Sequence, residues 1–144
     1  MRYKFRGKAL EECKQKGIKK GDWVKGHLYV DSQNRYFIVL PMDSRYFIFE
    51  FPLGMIEVIP ETVGQWTGFL DENGEEIYEG DILRWKYAGM EEEFFFVEDI
   101  FSVYREKVKY AKRHIDDWHL PSIAKVIGNK WDNVDLLKGG NHDN

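Results

Sequence analysis

One cysteine, Cys13, stands in 144 residues, so neither an intramolecular disulfide nor a thiolate metal cage can be built from this chain. The expected compartment is a reducing cytoplasm. Proline occurs only four times, and no low-complexity stretch separates one part of the chain from another, which excludes independent beads on a flexible linker. No apolar run approaches the ~18 residues of a membrane-spanning helix. The opening MRYKFRGK lacks the apolar segment of a signal peptide, so a soluble, unprocessed protein is expected. A Gly-rich phosphate cradle of the P-loop or dinucleotide type is missing as well.

Aromatic residues, by contrast, are plentiful. Ten Phe, eight Tyr and five Trp make up 16% of the chain and favour strands over helices. A chain of this length suits one domain, or two lobes sharing a core, and buries roughly two-thirds of its unfolded surface. The net charge of -4 hides a polarised distribution: residues 1–60 carry +4, residues 61–99 carry -10 and residues 100–144 carry +2. Neutralisation of the acidic centre by the basic ends of the same chain is the expected use of this pattern.

Turn signals are densest over residues 65–85, QWTGFLDENGEEIYEGDILRW. Asp71 and Asn73 suit turn hydrogen bonds and Gly74 accepts positive φ, so the chain should reverse between strands at 66–69 and 77–78. A second turn at Glu79-Gly80-Asp81 leads to a strand over 82–87. Upstream, alternation of basic and aromatic residues predicts a strand over 2–6, with Tyr3 and Phe5 on one face, three cations on the other and Gly7 as its end. About two helical turns are expected over 9–16. Strands follow at 22–30, 36–40 and 46–51, with an edge strand at 55–59 between Gly54 and Pro60. Gly21-Asp22-Trp23-Val24 matches Gly80-Asp81-Ile82-Leu83 as a Gly-Asp turn ahead of an apolar strand, too short a match to define a repeat.

Beyond a strand at 94–97 the apolar period changes. Ile100, Phe101, Tyr104, Val108, Ala111 and Ile115 form a stripe at steps of three and four, predicting an amphipathic helix over 99–116 whose other face collects Arg105, Lys107, Lys109, Lys112 and Arg113. Pro121 ends it, a last strand runs over 122–128, Trp131, Leu136 and Leu137 close the core, and 138–144 is a disordered tail. The fold class is therefore mainly β (β-rich α+β), built from antiparallel meanders. An N-terminal lobe spans 1–60, and a small barrel-like, SH3-like lobe carrying the helix spans 61–137.

Four places in the sequence carry residue types capable of chemistry. His114, Asp116, Asp117 and His119 cluster, but two His five apart on a helix point ~140° from one another, unlike the i, i+4 pair of a zinc helix. Glu75, Glu76, Glu79 and Asp81 interleave with turn glycines and lack a calcium-loop spacing, so solvation and turn chemistry explain them. His27 and Cys13 have no base or orienting partner that the sequence places beside them. No catalytic residue, metal or cofactor is expected. The first 25 residues hold nine cations against three acids, interleaved with aromatics, as single-strand nucleic-acid surfaces do. Arg2, Lys4, Arg6, Lys8, Lys19, Lys20 and Trp23, with Arg105, Lys109, Lys112 and Arg113 of the expected helix, are the candidate contacts.

The spaced motif Gln65-x-Thr67-Gly68-x-x-Asp71-x-Asn73-Gly74-x-x-Ile77-Tyr78-Glu79-Gly80-Asp81-Ile82 is followed by Val126-Ile127-Gly128-Asn129 and Leu136-Leu137. Together they resemble the YopX family of phage and prophage proteins, as do Arg6-Gly7-Lys8 and Asp22-Trp23-Val24-x-Gly26 near the start. The resemblance implies a β-rich protein with a small α component, encoded in phage or prophage genomes and acting in the bacterial host. It supplies no catalytic residues: Gly68, Asp71, Asn73, Gly74, Tyr78, Glu79, Gly80, Asp81, Gly128 and Asn129 read as structural. Two functions are weighed, the first as the expectation and the second as its alternative. One is a non-enzymatic interaction or regulatory module engaging a host or phage protein, or copies of itself, and the other is a nucleic-acid-binding accessory protein.

Overall fold

The computed structural model describes residues 4–40, 54–85, 93–99, 102–105, 112–114 and 120–138. The chain divides into two compact units, residues 1–65 and 66–144. In the first, β1 (Phe5–Lys8), β2 (Trp23–Val30), β3 (Tyr36–Val39) and β4 (Met55–Val58) form an antiparallel sheet in the order β4-β3-β2-β1. The opening residues of β5 (Gly64–Leu70) pair with the other side of β1. The edge position expected for 55–59 is not what β4 takes: Ala9 bridges Val58 on its other side, with Leu10 N–H donating to the Glu57 carbonyl and Ile59 N–H to that of Lys8.

One face of this sheet is the core. Val24, Ile38, Ile56 and Val58 are buried there with Ala9, and Phe5, Leu28, Tyr36 and Val63 pack around them. Each fully buried aliphatic side chain contributes ~1.5–3 kcal/mol, which is why the period-two apolar positions of β2 and β3 set the register. Gly7 does not end β1. It lies inside the strand, because a Cβ there would come within 3.0 Å of the Val58 side chain. The helix expected over 9–16 shrinks to a single 3-10 turn, Lys14–Lys16, closed by Gly17 at φ 67. Ala9 and Leu10 instead bond backbone to backbone with Asp22 and Glu57, and Cys13 with Ile18. Sheet partners on both sides outweigh a helix tendency of a few tenths of a kcal/mol per residue.

In the second unit the later part of β5 pairs with β6 (Glu76–Tyr78), with a register shift between Trp66 and Leu70 where Gly68 takes φ 89. A five-stranded sheet follows in the order β10-β9-β8-β7-β11, from β7 (Asp81–Trp85), β8 (Glu93–Val97), β9 (Ser102–Arg105), β10 (Lys112–His114) and β11 (Lys125–Asn129). Ile77, Leu83, Phe95, Val97 and Ala124 are its buried cluster, with Phe69, Trp85 and Val126 against it. Two short helices, α1 (Leu120–Ile123) and α2 (Val134–Lys138), flank β11.

Two expectations are corrected here. The five described strands make an open order and no closed barrel, since β10 and β11 stand at its opposite ends. Nor is 99–116 a helix: 102–105 pairs antiparallel with β8 and 112–114 pairs with β9. The apolar stripe consists mostly of Ile, Phe, Tyr and Val, which suit a pleated surface, and the unpaired side of β8 offers hydrogen bonds that spacing alone does not reveal. Pro121 accordingly sits inside α1, at a position where its missing N–H costs nothing. The strand expected at 46–51 lies outside the described residues, as does 139–144 of the tail expected over 138–144, whereas Lys138 is the last residue of α2.

Candidate nucleic-acid interface

The sheet of the first unit has a second face, opposite its core. The register sets Arg6 across from Lys25 and Lys8 across from Trp23 on β1 and β2, and Tyr29 across from Phe37 on β2 and β3. Because side chains alternate along a strand, Trp23, Lys25, His27 and Tyr29 line this face together with Arg6 and Lys8. Lys25, His27 and Tyr29 are exposed, in alternation with the buried Val24 and Gly26 of the core face.

Trp23 anchors one end. The Arg6 guanidinium lies 4.6 Å from its ring centroid and the Lys8 ammonium 5.5 Å, both at cation–π distance. Arg6 is itself buried, 7% exposed, so the structure moves it from the candidate contact surface to the support beneath it. Central placement of β1 between β2 and β5 covers it. Lys4 and Lys8 are half-buried and Lys19 and Lys20 exposed, the latter pair in the turn before β2 where Lys19 N–H donates to Asp22 Oδ2 at 2.9 Å.

At the other end the β2–β3 hairpin holds its side chains by a dense local network. Asp31 Oδ1 accepts from Gln33 N–H and Arg35 N–H, both at 2.9 Å, and Oδ2 accepts from Arg35 Nε at 2.6 Å. The backbone N–H of Arg35, and then its guanidinium and the N–H of Gln33, hold the Asp31 carboxyl below its ordinary value of 3.8. Asn34 closes the turn at φ 61, a conformation Asn tolerates. Arg35 so held lies 5.7 Å over the Phe37 ring, and Phe37 meets Tyr29 at 6.1 Å between centroids with a 39° interplanar angle.

Arg105, Lys112 and Arg113 are on strands of the second unit, where no helical stripe gathers them. Arg2 and Lys109 lie outside the described residues. Sequence reasoning missed Lys25, Tyr29, Arg35 and Phe37, although the period-two run Trp23-x-Lys25-x-His27-x-Tyr29 is a legible signal.

The central motif is occupied by architecture. Asp71, buried, accepts from Asn73 N–H and Glu75 N–H through Oδ1 and from Val126 N–H through Oδ2, at 2.8 to 2.9 Å. Asp81 Oδ2 accepts from Tyr78 N–H at 2.8 Å, and the Tyr78 hydroxyl donates to Glu76 Oε1. Glu79, half-buried, precedes Gly80 in this same turn. Asn129 Oδ1 accepts from Trp131 N–H and Asp132 N–H, while Gly128 leaves room for the Asn133 side chain. Gly80, at φ 92, faces the Trp131 ring with no space for a Cβ. Among the described residues no group of three or more His, Cys, Asp or Glu is placed to hold a metal ion, and no helix is long and apolar enough to cross a membrane. His114 is in β10, while Asp116, Asp117 and His119 lie outside the described residues.

These features define an antiparallel β protein whose invested polar residues build turns and whose open sheet face carries cations and aromatics. The family model described as YopX protein matches residues 9–138, and the chain belongs to the YopX family. A solved structure, protein EF1440 from Enterococcus faecalis, is similar at 19% identity and a TM-score of 0.47, covering 94% of this chain and 97% of that one. No curated protein matches the chain.

Proposed function

We propose that this YopX-family chain is a nucleic-acid-binding accessory protein of phage or prophage origin, working without a catalytic step inside the bacterial host. One observation carries the reading: the β1–β3 face sets Lys8, Lys25 and Arg35 beside Trp23, Phe37 and Tyr29 on a single surface. Cations along a surface collect phosphates by releasing counterions, and aromatic rings hold bases. The charge of the first 60 residues, +4, favours such a ligand, and the acidic middle of the chain would repel it from any surface that included residues 61–99.

Fluorescence anisotropy with labelled DNA and RNA over a salt series tests this. Binding that weakens steeply between about 50 and 200 mM salt is expected. Absence of binding at the low end removes the reading.

The protein-interaction or regulatory module is a second reading, favoured by the exposed Leu70, Ile123 and Val134 of the second unit. Glu72 N–H donates to the Ala124 carbonyl at 2.9 Å, which brings the Leu70 and Ile123 segments side by side. A host or phage protein, or a second copy of the chain, would be the partner. Pull-down from infected lysate with and without nuclease separates the two, since only a protein partner survives nuclease.

A further inference from the structure

We infer that the Tyr29–Phe37 end of the face is a base-stacking subsite, so that the ligand is single-stranded nucleic acid and not duplex. This inference rests on the nucleic-acid reading above. The two aromatic centres of the face are built differently. Trp23 is half-buried, with Arg6 and Lys8 over its ring, so cations already occupy the π-surface that a base would need. Tyr29 is 48% exposed, an amphipathic ring left in water at the hairpin end of a sheet whose other face supplies the core. Phe37, whose ring carries the Arg35 guanidinium at 5.7 Å, backs Tyr29 at 6.1 Å between centroids, so the stacking face of the platform is the exposed Tyr29 ring. Such planes stack on unpaired bases with little regard to sequence.

The hairpin makes the platform rigid. Asp31 accepts three hydrogen bonds, two of them from Arg35, so the ordering entropy of that arginine is spent in folding and not on ligand binding. From Trp23 to Tyr29 is six residues of strand, about 20 Å, with Lys25 between the two and Lys8 beside Trp23. The phosphates would run along β1 and β2 toward Trp23, because Glu57, opposite Phe37 on β4, disfavours an anion on the other side. Duplex DNA offers such a face only phosphates and base edges. A single strand offers base faces as well, and a site of this length accommodates about 4 nucleotides, the short end of known single-strand sites.

The test uses the full chain, a labelled oligothymidylate of about a dozen nucleotides and a duplex of equal length, each titrated over the salt range above. The single strand should bind at least about 10-fold more tightly, and Tyr29→Ala should weaken it about 5- to 100-fold with little change in salt slope. Tyr29→Phe should retain binding. Lys25→Ala should instead lower the salt slope by about 0.7. Ultraviolet cross-linking of the unmodified protein, mapped by mass spectrometry, should mark the peptide containing Tyr29 or Phe37, a readout that needs no variant to fold. Equal or tighter duplex binding, an unaffected Tyr29→Ala variant of unchanged melting temperature, or cross-links confined to other peptides would overturn the stacking subsite while leaving nucleic-acid binding in place. No binding of either probe overturns both.

Discussion

Each unit contains the same two turns, and comparing them shows how burial, not local chemistry, sets what a turn is worth. At 31–35 and at 71–75 an aspartate N–H donates to the carbonyl four residues on, its carbonyl accepts from the fourth residue, and its Oδ1 accepts the N–H groups of the third and fifth. The fourth residue has positive φ in both, Asn34 at 61 and Gly74 at 82. They differ in the second carboxylate oxygen. Asp31 Oδ2 takes the Arg35 side chain within its own exposed loop, whereas Asp71 Oδ2 takes Val126 N–H, 55 residues away. Likewise Asp22 and Asp81 each accept, through Oδ2, the N–H of the residue three before, after a glycine of positive φ. Gly21 has open space around it, and Gly80 has Trp131.

The largest separation is expected between Gly80→Val and Gly21→Val. Both pay for a β-branched residue at positive φ, but only the first also drives a side chain into the Trp131 ring, for a total of about 3–5 kcal/mol. Denaturant unfolding of both variants measures it, and equal midpoints would mean that Trp131 yields freely. Next come the aspartates. Asp71→Ala strands three backbone N–H groups, one of them in β11, and should cost about 2–4 kcal/mol. Asp31→Ala, in an exposed loop, should shift the same midpoint clearly less.

Acid titration sharpens the pair further. The folded state holds the Asp31 carboxyl below 3.8, so its contribution is present above that pH and is lost as pH falls through the lowered value. Asp31→Asn should therefore flatten the acid limb of the stability profile slightly, read by thermal melts between about pH 5 and pH 2. Smallest of all is the exchange of the αL residues. Asn34→Gly and Gly74→Asn should each move stability by about 0.5 kcal/mol or below, since both residues tolerate that conformation.

The same contrast explains which features were legible beforehand. Asp71, Asn73, Gly74, Gly80 and Asp81 announced reversals because their requirement is local: a short side chain bonding its own backbone, or φ above zero. The β-rich class and the strands of the central meander followed. The helix over 99–116 failed since a three-and-four spacing of Phe, Tyr and Val is compatible with strands, and only the availability of β8 as a partner decides between them. Arg6 read as an outward cation and is buried, because which face of β1 is covered depends on β2 and Trp23. The candidate interface was half visible. Its basic and aromatic composition was plain in residues 1–25, while its stacking end needed the pairing of Tyr29 with Phe37.

By itself the sequence determined where this chain turns, that it is built from strands, and to which family it belongs, because turn conformations and β-propensity act within a few residues. Tertiary structure alone decided that Asp71 reaches Val126, that Gly80 lies under Trp131, and that cations and rings from three strands share one face. Those are contacts between segments far apart in the chain, and their partners are chosen by register and burial, which no local window contains.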